Sequence, residues 1–194
     1  MTMFETDERA QNLRNEILLR HISSVMTDSE RAVLFGLQAT NRMRENSKII
    51  SPENLKCGHH NWIGEGAVLD ASGGLEIGNY VCVGLYSLIW THTSYLQNKY
   101  EEVCISSEHI IRKPTKIGDR VFIGGHSVVY HGITIGDDAI IMPMSVVHED
   151  VPTGATVSGA PIGKFKKLES RVKELEKQYA DLYKMYLRQQ DKPY

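Results

Sequence analysis

The chain is poor in several features that would announce a function. Its three cysteines, Cys57, Cys82 and Cys104, are an odd number at spacings unlike a zinc cluster. That argues against a disulfide framework and predicts a reducing compartment. Cys57 and Cys82 fall in or near a repeat, where a small buried thiol is the plain reading. The formal net charge is only -2, so there is no electrostatic case for nucleic acid or for an anionic membrane surface. No apolar run reaches the roughly 20 residues that span a bilayer. The first residues also lack the basic-then-apolar pattern of a secretion signal. Together these absences predict a cytoplasmic protein.

What the chain does have is a period of six. Ile117, Ile123, Val129, Ile135, Ile141 and Val147 stand in strict register, and Gly118, Gly124 and Gly136 follow three of them. Small or β-branched residues lie four places on, at Val121, Ser127, Ile133, Ala139, Ser145 and Val151. Neither a helix nor an ordinary hairpin sheet has this period. A solenoid with three flat faces per coil does, with the aliphatic residue pointing inward. Read backward, the phase runs through Ile63-Gly64, Leu69-Asp70, Ile77-Gly78, Val83-Gly84 and Ile89. Two slips interrupt it, a two-residue insertion near Gly73-Gly74 and a long one between Ile89 and Ile117.

Three segments follow. Residues 1–47 are expected to be helical, with Leu13, Ile17, Leu18, Ile22 and Val25 as one apolar stripe. Thr27-Asp28-Ser29-Glu30 reads as a capping box opening a second helix that carries Val33, Leu34, Leu37 and Met43. Residues 48–163 form the solenoid, with a ragged start at Pro52 and Gly58-His59-His60 and a loop insertion at 91–116. Residues 164–194 switch to a helical period near 3.5. Leu168, Val172, Leu175, Tyr179, Leu182 and Tyr186 alternate four and three apart, as in a coiled coil. The alternative is an amphipathic helix folded back on its own solenoid. About three heptads are marginal alone, so a coiled coil here would reinforce an existing assembly.

The run Ile117-Gly118-Asp119-Arg120-Val121-Phe122-Ile123-Gly124-Gly125, then His131-Gly132-Ile133-Thr134-Ile135-Gly136, then Gly159-Ala160-Pro161, resembles the hexapeptide-repeat acyltransferases, most closely bacterial sugar O-acetyltransferases. The resemblance covers roughly residues 57–165. It implies a mainly β fold, a left-handed parallel β-helix solenoid flanked by helices. It also implies a homotrimer and acetyl-CoA as acyl donor, with no metal. The left hand comes from the resemblance alone, since general rules favour right-handed crossovers.

Chemistry is expected where the repeat is broken, because long insertions in repetitive folds carry function. Trp90-Thr91-His92-Thr93-Ser94-Tyr95 opens the insertion, and the resembling enzymes carry a His at this root. His92 is therefore expected to be the general base, taking a hydroxyl proton as the oxygen attacks a thioester. Tyr86, Trp90 and Tyr95 are expected to hold the acceptor. A backbone N–H near Gly124-Gly125 would serve as oxyanion donor. The resemblance also places Gly125, Pro143, Met144 and His148 along the pantetheine groove between subunits, with Ala160 near the far end of CoA. Lys164 and Lys166 would then supply cations for its phosphates.

These observations predict an acetyl-CoA-dependent O-acetyltransferase acting on a carbohydrate hydroxyl of a surface polysaccharide or glycan precursor. Two other readings remain within the fold. One is N-acetylation of a nucleotide-linked amino sugar, where an amine needs less help from a base. The other is a zinc protein like the γ-class carbonic anhydrases, since His126 and His131 have the spacing of two of its three ligands.

Overall fold

The computed structural model describes residues 8–101, 108–159, 172–183 and 186. The period of six becomes three parallel sheets. Arg42–Met43, Trp62–Ile63, Cys82–Val83, Phe122–Ile123, Ile140–Ile141 and Thr156–Val157 stack in the first. Lys48–Ile50, Val68–Asp70, Leu88–Ile89, Val128–Val129 and Val146–Val147 make the second. Leu55–Cys57, Leu75–Ile77, Thr115–Ile117 and Thr134–Ile135 make the third. The chain visits them in rotation, so this is a parallel β-solenoid of about six turns.

Register partners give the coil length. Met43, Ile63 and Val83 pair in succession at steps of 20, Ile123 pairs with Ile141 at 18, and Ile141 with Val157 at 16. The coils shorten toward the C-terminal end because each aligned position is reached with fewer corner residues. Every inward aliphatic of the repeat from Ile63 to Val147 is buried, and so are the small residues four places on, among them Ala67, Ser87, Ser127 and Ser145. Burial of this kind contributes about 25 cal/mol per Å² of apolar surface removed from water.

Polar ladders run beside the apolar core. Asn41 Oδ1 accepts from the Asn61 amide at 2.9 Å, and Asn61 Oδ1 accepts from the Val81 amide at 2.7 Å. At another corner, Asn79, Asp119 and Asp137 each accept from a backbone amide of the coil before. These side chains satisfy amides that a turning coil would otherwise leave without partners. Tyr86, His126 and Met144 have positive φ and stand at like places in successive coils. The Tyr86 and His126 rings stack, with centroids 5.4 Å apart.

At the N-terminal end, α1 spans Glu8–Ser23 and α2 spans Asp28–Leu34. The expected capping box is present at Thr27 and Glu30. The second helix is shorter than its apolar spacing suggested, because Gly36 with φ +80 follows its end. Met43 is not on that helix. It lies in the first solenoid strand, fully buried, and strand pairing therefore begins at Arg42 rather than near residue 48. The stripe Leu13, Ile17, Leu18, Ile22 and Val25 is exposed in the single chain. Residues 161–194 form a separate unit. Within it 172–183 are helical, and Val172, Leu175, Tyr179 and Leu182 are exposed.

Buried Arg31 ties α2 to the first coil. Its guanidinium donates to the carbonyls of Ser23 (2.9 Å), Met26 (2.7 Å) and Met43 (2.6 Å), and lies 3.3 Å from Asp28 Oδ1. Removing it takes the guanidinium from the Met26 and Met43 carbonyls, while the Ser23 carbonyl keeps the Met26 N–H and Asp28 keeps Arg44. Arg31→Met is expected to cost about 2–4 kcal/mol, a fall in Tm of about 5–10 °C for a chain this size. Thermal unfolding by circular dichroism checks this, and an unchanged Tm would show that the helices do not cap the solenoid.

Candidate active site

The long insertion leaves the second sheet after Leu88–Ile89. It opens as the strand His92–Thr93, continues into α3 at Tyr95–Lys99, and returns through Ile111–Arg112. The two strands pair antiparallel, Arg112 opposite His92 and Ile111 opposite Thr93. His92 is thus fixed at the root of an arm that rises from an otherwise repetitive rod. Across the arm, Tyr100 and His109 stack with centroids 4.2 Å apart.

One coil earlier, Asp70 ends a second-sheet strand directly beneath this root. Its side chain is 0% exposed and lies 2.7 Å from His92 Nδ1. Asp70 Oδ2 also accepts from the Thr91 amide (2.8 Å) and the Thr91 hydroxyl (3.0 Å), while Oδ1 accepts from the Ser72 amide (3.0 Å). Burial alone would push this carboxyl up. The bonds from Thr91, Ser72 and His92 outweigh it and hold Asp70 below the usual carboxylate range.

An ionised acceptor at 2.7 Å requires a proton on Nδ1, since two lone pairs would otherwise face each other. Nε2 is then left with its lone pair. Asp70 sets the tautomer and stabilises the imidazolium that forms when Nε2 takes a proton, the role a carboxylate plays in catalytic triads. Ser72 Oγ, 3.0 Å from Nδ1, steadies the same edge. His92 stays 27% exposed. It lines an open cavity of about 330 Å³ with Trp90, Thr93 and Ser94 from its own arm and Val128, Tyr130 and His131 from the next coil. Burial, then the charges of Lys113 and His92, push the His131 imidazole down.

The expected site residues divide into groups. Trp90 and His92 meet in the cavity, and His148 follows the second-sheet strand of a later coil. Tyr95 begins α3 next to the cavity residue Ser94 and is exposed. Tyr86, Gly125, Pro143 and Met144 stand at the corner before the second sheet, not after it. A single chain therefore does not bring them to His92. Tyr86 packs there over Gly66, where a Cβ would run into its ring. The oxyanion expectation narrows as well. The Gly124 N–H donates to the Ile141 carbonyl at 2.7 Å, so it is spent within the solenoid and Gly125 is the donor to consider. Ala160, Lys164 and Lys166 lie outside the described residues.

Among the described residues, no three His, Cys, Asp or Glu side chains converge as a metal site. His126 stacks on Tyr86 at one corner, whereas His131 faces the cavity at another.

Residues 114–149 match the model for the bacterial transferase hexapeptide, six repeats. That stretch of the chain carries bacterial transferase hexapeptide repeats. It is similar to the galactoside O-acetyltransferase of Escherichia coli, 37% identical over 60 residues, 31% of this chain and 30% of that one. It is also similar to the 2,3,4,5-tetrahydropyridine-2,6-dicarboxylate N-acetyltransferase of Clostridium perfringens, 36% identical over 73 residues, 38% of this chain and 31% of that one. These matches span less than half the length of either relative. Among solved structures, the hexapeptide-repeat acetyltransferase VCA0836 of Vibrio cholerae, complexed with acetyl-CoA, superposes with a TM-score of 0.67 at 25% identity. That match covers 80% of this chain and 87% of that one.

Asp70, Ser72 and Tyr130 were not singled out from the sequence. The signal was present: Leu69 to Ile89 is one 20-residue coil, and the same step from Ser72 reaches His92. Asp70→Asn keeps the side chain's shape but removes its charge. It is expected to lower turnover by about 10²-fold or more. A group whose folded pKa is depressed contributes stability above its unfolded value, about 3.9, and loses it as pH falls through the folded value. The Tm gap between wild type and Asp70→Asn should therefore be full at pH 7 and close below pH 4. A gap independent of pH would show that Asp70 is not ionised in the fold.

Proposed function

We propose that this chain is an acetyl-CoA-dependent acetyltransferase that transfers acetyl to a hydroxyl of a carbohydrate. The observation that carries the reading is the Asp70–His92 pair facing a cavity at the root of the one long insertion. Nε2 takes the proton of the acceptor hydroxyl as its oxygen attacks the thioester carbonyl. The C–S bond then breaks, and the imidazolium returns the proton to the departing CoA thiolate. The products are an O-acetyl ester and free CoA, with no acyl-enzyme. Trp90 and Tyr130 offer apolar ring faces on which a sugar ring can lie.

A hydroxyl needs such a base more than an amine does, because a neutral amine is already nucleophilic. The ionised Asp70 behind the imidazole is what favours O- over N-acetylation. The similar Clostridium perfringens protein is named for N-acetylation, so an amino acceptor belongs in the same assay. Acetyl-CoA bound to the similar Vibrio cholerae structure supports the donor. A pantetheine arm is narrow and amide-bearing, and Gly125, Pro143 and Met144 would line it along the outer corner.

That corner and the His92 cavity lie on opposite sides of the second sheet, so a complete site needs a neighbouring subunit. Leu85, Phe122, Ile140, Met142 and Met144 are exposed apolar side chains around that corner. They support a homotrimer in which one subunit's corner faces the next subunit's His92.

His92→Ala should lower kcat by roughly 10²–10⁴-fold and leave acetyl-CoA affinity nearly unchanged. Thiol release with a panel of sugars, followed before and after exhaustive chelation, checks both parts. A variant keeping more than a third of wild-type turnover, or loss of activity on chelation, would remove this mechanism.

A further inference from the structure

His131 lines the His92 cavity, yet proton transfer at His92 gives it no task. Its backbone is fixed on both sides. The Tyr130 N–H donates to the Val147 carbonyl at 2.9 Å, and the Gly132 N–H donates to the hydroxyl of buried Thr115 at 3.1 Å. The same hydroxyl donates to the Trp90 carbonyl at 2.9 Å. Ile89 pairs with Val129, so Trp90-Thr91-His92 and Tyr130-His131-Gly132 leave the second sheet side by side. Thr115 pins both exits, and the two imidazoles reach one cavity from adjacent coils.

The His131 ring has one nitrogen to offer. Nδ1 is buried and has no hydrogen-bond partner among the described residues, so Nε2 is the one that a molecule in the cavity can meet. A proton on Nδ1 would be a buried donor with no acceptor, and such donors are rarer in folded proteins than unmet acceptors. Nε2 therefore carries the proton. A second proton would have to enter at Nδ1, placing an unpaired charge inside the fold. Burial, followed by the charges of Lys113 and His92, acts in the same direction and favours the neutral ring. His92 is the opposite case. Asp70, 2.7 Å from Nδ1, holds the proton there and leaves Nε2 with its lone pair. The cavity thus presents one acceptor and one donor.

We propose that His131 selects the acceptor by donating its Nε2–H to an oxygen next to the hydroxyl that His92 deprotonates. The inference rests on the acetyltransferase reading above and narrows its substrate. The acceptor must offer a lone pair beside the reacting hydroxyl, as a vicinal diol of a sugar ring does. An isolated alcohol would leave the donor unmet, and an ammonium at that place would face it with another donor.

Long-range proton–nitrogen NMR of the full chain, labelled at histidine, reads both tautomers without substrate. The proton should lie on Nε2 in His131 and on Nδ1 in His92, with His131→Phe and His92→Ala assigning the signals. A proton on Nδ1 of His131 would overturn the donor. Thiol release from acetyl-CoA is then compared for the methyl glycosides of galactose, glucose and mannose and for their monodeoxy forms. The form lacking the reacting hydroxyl should be inert. A second deoxy form should fall about tenfold or more below its parent in kcat/KM. In His131→Phe the parent should drop to the level of that second form, which should itself change no more than a few-fold. His131→Gln, whose amide N–H can stand near the place of Nε2, should recover part of the parent's advantage. A merely structural role, or a bond to the thioester oxygen, would slow parent and deoxy forms alike, so equal losses or no loss would overturn the proposal. A sugar that shifts the His131 ring nitrogens without thiol release would remove the acetyltransferase reading and leave the contact standing. Thiol release untouched by His131→Phe would do the reverse, and neither shift nor release would remove both.

Discussion

The solenoid and its candidate site depend on parallel strands stacking in register one coil apart. Once Met43, Ile63 and Val83 are held in line, each other position of the coil must also sit over its counterpart. Aliphatic residues then form inward columns, and corner residues form outward ones. Where coils approach closely, a column has no room for a side chain. A Cβ on Gly64 would meet the backbone of Gly84 and Leu85, one on Gly84 that of Gly124 and Gly125, and one on Gly124 the ring of Pro143. The glycine that follows the inward aliphatic is therefore a requirement of spacing. It marks the row where backbone packs on backbone.

The same stacking assembles the site. Asp70 and Ser72 come from one coil, Thr91 and His92 from the next, and Tyr130 and His131 from the coil after the insertion. An acidic side chain buried completely is expensive unless its charge is met by donors. Asp70 meets this with two amides, a hydroxyl and an imidazole. The corner residues Asn79, Asp119 and Asp137 cap amides in a similar way but touch no titratable ring. The Thr91 bonds hold coil to coil and the His92 bond orients the imidazole, so one carboxylate holds the coils together and sets the ring of His92.

The fold was legible because its signal is one-dimensional. Period six, the Gly73–Gly74 slip and the start of the insertion can all be counted along the chain, and the capping box at Thr27 is local. Met43 was misread because the helical stripe of Val33, Leu34 and Leu37 was carried on past Gly36, whereas a spacing of six leaves the Leu37 face of a helix and the partner Ile63 places Met43 in a strand. The position of His92 at the root of the arm was legible from the broken repeat. Asp70 was not, because it looks like any polar residue after an inward leucine. Its meaning comes from a neighbour 22 positions away that no local pattern shows. Tyr86 and Trp90 are not brought together within one chain. They are close in sequence but stand on opposite sides of a strand that must cross the sheet between them.

That separation makes the single chain chemically incomplete under the proposed reading. A thioester must lie within reach of His92, yet the corner suited to a pantetheine arm faces away from it. Lengthening a loop would not close the gap, because both positions are pinned by strand register in several coils at once. A second copy can close it without distortion. A three-sided rod that offers one apolar corner and one cavity can place the corner of each copy against the cavity of the next, and a cyclic arrangement satisfies every copy equally. The exposed apolar side chains at the corner would then be covered by the same contact that completes the site, which links assembly to activity through one surface.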